Sequence, residues 1–349
     1  MKDITVRPSI TIRQAMKKLN QVGEKCLIIT DEENNLLGTL SDGDLRKAIL
    51  NGKMMGDDIA LIFQRRPTVL HYEHYELSEA RQLFTEEQFD IIPLVDDENQ
   101  LKDVLHWKTI FDNKDSRRGG RLNTPVVIMA GGKGTRMEPF TKVLPKSLIP
   151  IHEKPVIEHI IERFRDVGCS EFYLTINYKG RILKAYFEEL QPDFGVHFVE
   201  EQEPLGTAGS LRLLEGRFTE PFFVTNCDIL ISADYASIYE FHLEGGYDIS
   251  LVASAKEYVI PYGTCEINGD GDLSHINEKP SYELLINTGL YVLNPDVLEL
   301  IPRNQFYHIT HLIENAKDRG KKVGVFPIDD ETWVDVGQWA EYQKAVKQM

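Results

Sequence analysis

The feature that most constrains the fold is a glycine-rich run that directly follows a short, wholly apolar segment. Val126–Met129 leads into residues 130–136 (AGGKGTR), and an amphipathic stretch begins near Pro155. A short apolar run bounded by glycines is typical of a buried strand. Glycines after a strand let backbone N–H groups approach a phosphate chain closely. We therefore expect a buried strand, a phosphate-binding turn and then helical sequence.

Two cations lie close to this turn in the sequence. Arg136 ends the glycine-rich run, and Lys146 follows ten residues later in the segment LPKS. Fixed positive charges at a glycine turn can neutralise a polyphosphate during reaction. The spacing of Arg136 and Lys146 therefore indicates a site that cleaves a triphosphate, which a glycine turn alone does not.

Composition excludes several classes of partner. The 349 residues include 39 basic and 55 acidic ones, for a formal net charge of −16, which argues against nucleic acid or an anionic membrane as partner. The four cysteines are scattered without a CxxC pair, which fits reduced thiols better than a disulfide framework. The sequence shows no signal-like start and no membrane-spanning apolar stretch, so we expect a cytoplasmic protein.

A polar segment over residues 112–121 indicates a linker between two domains. We predict a first domain over 1–114, a linker over 115–124 and a second domain over 125–349. The first domain contains a degenerate repeat, because a helix followed by two strands occurs twice. Its predicted strands are 26–30 and 36–40 in one copy and 91–95 and 101–105 in the other. This pattern resembles a tandem pair of CBS domains.

The second domain alternates strand-like with helical segments. Its candidate strands are 126–130, 171–176, 196–200, 222–226 and 248–254, and helical patterns include 179–190 and 234–244. Strands separated by helices predict a mainly parallel sheet covered on both faces, with ligands at the carboxyl ends of the strands. The predicted fold class is thus α/β, a Rossmann-like, mixed and mainly parallel sheet preceded by an α+β CBS pair.

Two aspartates in this domain follow strand-like runs. Asp228 follows the apolar residues 222–227, and Asp335 follows Trp333 and Val334. Taken alone, Asp228 is also a candidate helix N-cap, because helical sequence comes after it. Together, two carboxylates can hold one hard cation whose other ligands are phosphate oxygens and water.

These motifs, in this order, make residues 125–349 resemble the sugar nucleotidyltransferases, or NDP-sugar pyrophosphorylases. The resemblance implies Mg²⁺-dependent transfer of a nucleotidyl group to a sugar 1-phosphate, with release of pyrophosphate. It implies catalytic roles for Arg136, Lys146 and Asp228, and Mg²⁺ binding by Asp228 and Asp335. The implied nucleotide-binding residues are Ala130, Gly131, Gly132, Gly134, Thr135, Glu201, Gly206 and Thr207. The implied sugar-phosphate-binding residues are Tyr262, Gly263, Glu278, Lys279, Asn287 and Thr288.

Glu201, five residues before Gly206, is the best clue to the nucleobase. Uridylyl- and thymidylyltransferases of this family commonly have glutamine there. A carboxylate instead accepts both N–H groups on the Watson–Crick edge of guanine, whereas uracil presents one donor. The surrounding residues 201–209 also resemble those of guanylyltransferases, so we predict GTP, with UTP, CTP or dTTP as alternatives. The other interpretation of Glu201 is a solvated acidic turn.

The order of the two domains suggests the sugar. A CBS pair in front of this kind of domain resembles the glucosamine-1-phosphate guanylyltransferases of bacterial legionaminic acid pathways, which implies GDP-glucosamine as product. Mannose 1-phosphate stays an alternative, because it requires many of the same phosphate contacts. An alternative of another class is a nucleotide-sensing scaffold without catalysis, which the joint presence of Arg136, Lys146, Asp228, Lys279 and Asp335 disfavours.

The first repeat also contains a candidate nucleotide site. Residues 38–44 match a CBS segment in which Asp44 would contact ribose hydroxyls and Ser41 a phosphate. The second repeat has His106 and Thr109 at these positions and loses the pair. The other interpretation is that Asp44 caps a helix and the module drives dimerisation. We expect a homo-oligomer with at most one well-formed ribose site per chain, for a regulatory nucleotide.

Several conspicuous residues receive a structural interpretation. His308 and His311 have helical spacing, but no neighbouring cysteine or carboxylate would complete a zinc site. Trp333 and Trp339 are expected to pack around the strand that precedes Asp335. Cys227 is interpreted as a small buried residue rather than a nucleophile.

Overall fold

The computed structural model describes residues 4–87, 89–106, 110 and 122–348. The chain divides into two compact units, of which the first comprises Met1–Arg118 and Glu257–Glu283 and the second comprises Gly119–Lys256 and Leu284–Met349. Residues 115–121 of the predicted linker lie outside the described residues, and the predicted domain boundaries stay predictions. No helix in the described part of the chain is both long and apolar enough to cross a bilayer.

The first unit contains two three-stranded sheets of equivalent order. One consists of β1 (Thr5–Val6), β2 (Cys26–Thr30) and β3 (Leu36–Ser41), and the other of β4 (Leu70–His71), β5 (Ile91–Val95) and β6 (Leu101–His106). In each sheet the first pair of strands is parallel and the second antiparallel. The accompanying helices are α1 (Ile12–Val22), α2 (Asp42–Leu50) and α3 (Leu77–Glu86). The helix and strands expected from each copy of the repeat are present.

The hairpin turns of the two sheets bind each other. Asn34 and Asn99 occupy equivalent positions and both have left-handed backbones, with φ of 68° and 62°, a conformation that asparagine tolerates. Asn34 Nδ2 donates to Leu101 O at 2.8 Å, and Asn99 Nδ2 donates to Leu36 O at 2.9 Å. This reciprocal exchange gives the two repeats an approximate two-fold symmetry.

The remaining strands and helices follow in chain order. The strands are β7 (Val126–Met129), β8 (Pro150–Ile151), β9 (Lys154–Pro155), β10 (Glu171–Ile176), β11 (Gly195–Glu200), β12 (Phe222–Asn226), β13 (Ile229–Ile231), β14 (Ile249–Val259), β15 (Thr264–Ile267), β16 (Leu273–Asn277), β17 (Ser281–Leu293), β18 (Val323–Asp329) and β19 (Trp333–Asp335). The helices are α4 (Val156–Asp166), α5 (Gly180–Leu190), α6 (Tyr235–Glu244), α7 (Ile309–Asp318) and α8 (Trp339–Gln348). These positions confirm the predicted strands and helices of the second domain.

The second unit is built on a seven-stranded sheet in the order β11-β10-β7-β12-β17-β14-β18. The pairs β11/β10, β10/β7, β7/β12 and β14/β18 are parallel, and β12/β17 is antiparallel. Along β7, Val126 and Ile128 belong to one core cluster, while Val127 and Met129 belong to another. Both faces of the sheet are therefore covered, which explains the continuous apolar run. The predicted α/β class is confirmed.

The sheet brings several strand ends to one edge. In the register of the parallel strands, Met129 of β7 lies opposite Thr175 of β10 and Asn226 of β12. Ile176 at the end of β10 pairs in turn with Glu200 of β11. The residues that follow these strands therefore emerge at a common edge, where ligands bind in open α/β sheets.

Residues Glu257–Glu283 add a hairpin to the first unit, and we refer to them as the arm. Within the arm, β15 and β16 form a two-stranded antiparallel sheet, with Thr264 opposite Asn277. In the sequence, β14 precedes the β15–β16 hairpin and β17 follows it. Both are strands of the large sheet of the second unit. No sequence motif indicates that the arm groups with the N-terminal residues.

Candidate active site

The glycine turn follows β7 directly, but no α-helix comes immediately after it. Three short 3-10 turns occupy Thr135–Met137, Phe140–Lys142 and Lys146–Leu148, and α4 begins near Pro155 as predicted. The backbone N–H groups and nearby cations, rather than the dipole of a helix, are therefore the groups available to phosphate.

Gly134 is the position in this turn where glycine is required. Its φ is +65°, and an added Cβ would lie 2.9 Å from Thr141 Cγ2 and 3.0 Å from Lys146 Cβ. The Thr141 hydroxyl donates to Gly134 O at 2.9 Å and fixes the turn. The stem of Lys146 consequently packs directly against the glycine turn.

Asp228 and Asp335 are held side by side by two short strands. Asp228 lies between β12 and β13, and Asp335 ends β19, which pairs with β13 so that Ile229 lies opposite Asp335. Val336 N also donates to Asp228 O at 2.9 Å. The N-cap of α6 is Asp234, whose side chain accepts from backbone N–H groups of the first turn. Asp228 is therefore not a helix cap.

Gly337 lies where these aspartates meet Lys146. An added Cβ at Gly337 would overlap Asp228 Oδ2 and Lys146 Nζ, and it would lie 2.9 Å from Asp335 Oδ1. Lys146 Nζ forms an ion pair with Asp228 Oδ2, and the two side chains are only 12% and 11% exposed. Three charged groups from three separate segments thus converge at one point. Sequence reasoning missed Gly337, whose only sequence signal is its place two residues after Asp335.

The carboxylate of Asp335 is oriented by neutral donors. Gly337 N donates to its Oδ1 at 2.9 Å, and Gln338 Nε2 donates to its Oδ2 at 2.8 Å. Both oxygens are thereby fixed in direction, and neither requires a cation to hold it.

The donor set of this site fits Mg²⁺. Among the residues that the structure describes, no group of three or more His, Cys, Asp or Glu is placed to hold a metal. A cation here would take carboxylate oxygens from Asp228 and Asp335. Mg²⁺ characteristically uses one or two carboxylates and fills its other positions with water and substrate phosphates.

Glu201 follows β11 and is buried, with 8% of its surface exposed. Its Oε2 accepts from Leu205 N at 3.0 Å, and its Oε1 fills the space that a Cβ of Gly131 would need. Burial raises the pKa of this carboxyl, while the Leu205 N–H and the hydroxyls of Ser210 and Thr175 act in the opposite direction. Its burial excludes the interpretation as a solvated acidic turn.

Residues 205–209 contain the predicted nucleotide-binding residues Gly206 and Thr207, and we refer to them as the nucleoside segment. This segment is hydrogen-bonded to the backbone of Tyr307. Ala208 N donates to Tyr307 O at 2.9 Å, and Tyr307 N donates to Leu205 O at 2.9 Å. Gly206 has a φ of +80°, and its Cβ would lie 2.7 Å from Tyr307 O, so only glycine fits. Tyr307 is a positioning residue that no sequence motif indicated.

Thr207 connects the same segment to α7. Its hydroxyl accepts from Ile309 N at 3.0 Å, at the first residue of that helix. His308 Nδ1 lies 3.5 Å from Thr207 Oγ1, and the rings of His308 and His311 are 5.4 Å apart. In this structure, the Thr207 hydroxyl and both histidines support the junction between the nucleoside segment and α7.

Four predicted sugar-phosphate residues lie in the arm, within the first unit. Tyr262 is 74% exposed. The Cβ of an alanine at Gly263 would lie 2.9 Å from Glu278 Oε2, and Lys279 has a left-handed backbone with φ of 47°. The arm therefore brings Gly263 and Glu278 together, on segments that flank its β15–β16 hairpin.

The other two predicted sugar-phosphate residues lie on β17, within the second unit. The Thr288 hydroxyl donates to Val252 O of β14 at 2.8 Å, and Asn287 Oδ1 accepts from Gly289 N at 3.1 Å. Gly289 has a φ of +89°, and an added Cβ would overlap the side chain of Asn226. These contacts fix the β17 backbone between β12 and β14.

Ser41 and Asp44, the two residues of the predicted nucleotide site in the first CBS repeat, form a capping box at the start of α2. Ser41 Oγ accepts from Asp44 N at 3.1 Å, and Asp44 Oδ2 accepts from Ser41 N at 2.9 Å and from Ser41 Oγ at 2.7 Å. In the second repeat, His106 Nδ1 lies 3.8 Å from Glu24 Oε2, and Thr109 lies outside the described residues. Ser41 and Asp44 therefore use each other as hydrogen-bond partners within one helical turn.

Cys227 is buried, and Trp333 and Trp339 pack against other side chains. Burial, followed by the charge of Asp228, raises the pKa of the Cys227 thiol to about 12, so it stays protonated near neutral pH. Trp333 packs against the core on one face of the sheet. Trp339 stacks on Phe140 and Tyr342, each with a ring-centroid distance of 5.5 Å.

Solved structures share the fold of about two thirds of this chain. HddC from Yersinia pseudotuberculosis superimposes with a TM-score of 0.51 at 26% identity, covering 64% of this chain and 99% of that one. The same protein complexed with GMP-PN aligns with a TM-score of 0.51 at 25% identity over the same share of this chain.

Sequence relatives include a probable mannose-1-phosphate guanylyltransferase 1 of Oryza sativa subsp. japonica, 32% identical over 228 residues and 62% of each chain. A UTP–glucose-1-phosphate uridylyltransferase of Synechocystis is 31% identical over 242 residues, which cover 63% of this chain and 62% of the relative. The chain thus spans about 62% of the length of these curated relatives.

Two family sequence models match different parts of the chain. The CBS domain model matches residues 1–51, within the first repeat. The nucleotidyl transferase model matches residues 125–349, which include the glycine turn, Glu201 and the cluster at Gly337. The chain therefore belongs to the nucleotidyl transferase family.

Proposed function

We propose that the chain transfers the guanylyl group of GTP to a sugar 1-phosphate, with Mg²⁺ as cofactor and pyrophosphate as second product. The observation that carries the proposal is the convergence of Lys146, Asp228 and Asp335 at Gly337. A lysine and two carboxylates beside a glycine turn are the groups that transfer between phosphates requires, because its catalysis is mostly positioning and charge stabilisation.

The reaction needs neither a protein nucleophile nor a general base. The second pKa of a phosphate monoester is ~6, so a sugar 1-phosphate is largely dianionic at neutral pH. Its oxygen attacks the α-phosphorus while the bond from that phosphorus to the pyrophosphate oxygen breaks. Arg136 and Lys146 bind the triphosphate and stabilise the leaving charge, and Lys279 binds the sugar phosphate. Asp228 and Asp335 would hold Mg²⁺, which supplies positive charge to phosphate oxygens when bound.

Glu201 supports guanine as the base. It is buried next to the glycine turn, with Oε1 against Gly131 and Oε2 bonded to Leu205 N. Besides the bond from Leu205 N, a carboxylate has acceptor capacity for both N–H donors of guanine, whereas uracil presents one. The relatives named as guanylyltransferases agree with GTP, and the relative named as a uridylyltransferase makes UTP the alternative.

Glucosamine 1-phosphate is the acceptor we propose, with GDP-glucosamine used for legionaminic acid or a related surface glycan. This choice rests on the resemblance of the CBS–transferase order to glucosamine-1-phosphate guanylyltransferases. Mannose 1-phosphate is the second candidate, because relatives of this chain are named mannose-1-phosphate guanyltransferases.

For the N-terminal part we propose a tandem CBS pair over residues 1–114, joined by a linker at 115–124 to the transferase domain at 125–349. The internal exchange between Asn34 and Asn99 supports a paired module. We propose that this pair mediates homo-oligomer formation and binds a regulatory nucleotide at Ser41 and Asp44. A nucleotide there would have to compete with the capping box that these residues form.

A substrate panel tests the proposed function. Pyrophosphate release is measured for GTP, UTP, CTP and dTTP, each with the 1-phosphates of glucosamine, N-acetylglucosamine, mannose and glucose, with and without Mg²⁺. We expect the highest kcat/KM for GTP with glucosamine 1-phosphate. Equal or better turnover with UTP would overturn the guanine assignment. The complete absence of Mg²⁺-dependent pyrophosphate release would favour the non-catalytic scaffold.

A further inference from the structure

We propose that Lys146 is a displaceable counter-ion of the aspartate pair. In the metal-free protein its ammonium group neutralises Asp228, and the arrival of a divalent cation releases that group toward the triphosphate. This inference rests on the proposed function, because it concerns the metal of the same site. It assigns Lys146 a second role, in which metal binding and delivery of the lysine to the phosphates are one coupled event.

The first support is the position of the ammonium group. Lys146 Nζ and Asp228 Oδ2 form an ion pair whose side chains are about one-tenth exposed. The point that a Cβ of Gly337 would occupy is bounded by this Nζ and by oxygens of both aspartates. Lys146 therefore stands next to the place where a cation shared by both carboxylates would be held. A metal ion and the ammonium group compete for Asp228 Oδ2.

The second support is the path of the lysine stem. An added Cβ at Gly134 would lie 3.0 Å from Lys146 Cβ and 3.3 Å from Lys146 Cδ. The stem is thus held against the glycine turn, where phosphate is expected, while only the end of the side chain reaches Asp228. A lysine carries a compact charge on a flexible stem, so its ammonium group can turn to the phosphates without displacement of the backbone.

The third support is the contrast between the two aspartates. Asp335 has neutral hydrogen-bond donors on both oxygens, from Gly337 N and Gln338 Nε2. Asp228 has the ammonium group of Lys146 on its Oδ2 instead. Because an unpaired buried carboxylate is costly, the lysine stabilises Asp228 until another cation replaces it.

Competition between the ammonium group and a metal ion for Asp228 predicts that loss of the lysine increases metal affinity, although the lysine is a proposed catalytic residue. If the ammonium group occupies the metal position, its removal raises metal affinity, although it also abolishes turnover. Coupling between two binding events is reciprocal, so a metal bound at Asp228 also weakens the Lys146 ion pair. A lysine that acted only on the triphosphate would leave nucleotide-free metal affinity unchanged.

The test is a titration of the nucleotide-free full chain with Mn²⁺, in which free Mn²⁺ is followed by electron paramagnetic resonance. We expect Lys146→Met, which keeps the length of the stem, to bind Mn²⁺ about tenfold or more tightly than the wild type. Arg136→Met is the matched control, because it removes an exposed cation of the same turn; its Mn²⁺ affinity should stay within about twofold of the wild-type value. Asp228→Asn should lose the site.

A Lys146→Met protein with wild-type or weaker Mn²⁺ affinity would overturn the proposal. A second measurement needs no variant. Reductive methylation of the wild type, read by mass spectrometry, should modify Lys146 several-fold faster in Mg²⁺ than in EDTA, while the exposed Lys142 reacts equally in both. Unchanged methylation of Lys146 also counts against the exchange. A preference for another nucleotide in the substrate panel would change the proposed function and leave both results intact.

Discussion

The cluster at Gly337 and the Ser41–Asp44 pair are both defined by nucleotide-binding motifs, yet they hold their polar groups in different ways. Lys146, Asp228 and Asp335 come from three separate segments and meet because the sheet and the β13–β19 pair bring them together. Ser41 and Asp44 lie in one helical turn and bind each other. Ser41 and Asp44 form hydrogen bonds with each other that cap a helix, so a structural role already explains them. The charged groups at Gly337 come from distant segments, and capping of a local element does not explain their convergence.

The largest expected effect is at Asp228, where this contrast is strongest. Asp228→Asn keeps the shape of the side chain but removes the charge that faces Lys146, and it weakens any metal site shared with Asp335. We expect kcat to fall about a thousandfold, as measured by pyrophosphate release, with an unchanged circular dichroism spectrum. A variant that keeps more than about a tenth of wild-type turnover would mean that the convergence of charges is not catalytic.

Gly337→Ala probes the convergence without altering a charge. The new Cβ would overlap Asp228 Oδ2 and Lys146 Nζ, so the three groups have to separate. Misplacement of catalytic groups by about 1 Å can cost about a hundredfold in rate, and we expect a decrease of that order in kcat.

Gly269→Ala is the matched control for that change, because an added Cβ at Gly269 has nothing within 4 Å. We expect its turnover to match the wild type within about twofold, as an exposed substitution does. Equal losses in both variants would show that the effect of Gly337→Ala comes from glycine replacement in general.

Glu201 is intermediate between the two regions, because it contacts both the nearby Leu205 and the distant Gly131. Glu201→Gln keeps an oxygen for Leu205 N and loses the second acceptor for guanine. We expect kcat/KM for GTP to fall about tenfold or more relative to UTP. Glu203→Gln, at an exposed neighbouring position, should leave the GTP/UTP ratio unchanged. An unaltered ratio in Glu201→Gln would restrict Glu201 to bracing the backbone.

The smallest expected effect concerns the Ser41–Asp44 pair. The chain supplies a matched control for it at Thr11. Thr11 and Ser41 each form a capping box, at α1 and α2, but only Ser41 belongs to the nucleotide motif. Thr11→Ala and Ser41→Ala should each lower the free energy of unfolding by about 1 kcal/mol, as measured by urea denaturation.

Nucleotide binding separates the two roles of Ser41. With a catalytically inactive Asp228→Asn background, calorimetry should detect adenine or guanine nucleotide at a second site, and Ser41→Ala or Asp44→Ala should weaken it while Thr11→Ala does not. Equal binding in all variants would leave Ser41 and Asp44 with only their capping role.

Much of the fold was predictable because its signals are local. Apolar runs such as Val126–Met129 predict buried strands, and the glycine turn places the first strand end at the phosphate site. The positions of Asp228 and Asp335 after short strands were also visible. Parallel strands then bring such residues to one edge without further information.

Other features depend on contacts between residues that are far apart in the sequence, and a single sequence does not show which distant residues meet. Tyr307 braces the nucleoside segment through its backbone, so its residue type carries no signal. Gly337 is required only because Lys146 and Asp228 happen to meet it. Thr207 stays a predicted nucleotide-binding residue, but the hydrogen bond that its hydroxyl accepts from Ile309 N at the start of α7 has no signal in the sequence.

The grouping of the arm with the N-terminal residues has a consequence for how the chain is made. The first unit is not a contiguous stretch of sequence, since Met1–Arg118 pack in one unit with Glu257–Glu283. During synthesis the N-terminal residues emerge long before the arm, so the first unit is complete only after residue 283 has left the ribosome. By then most of the large sheet has been synthesised as well. Likewise, a backbone cut between residues 118 and 119 would leave two polypeptides that still share one folded unit, and they should separate on a denaturing gel while eluting together from a sizing column.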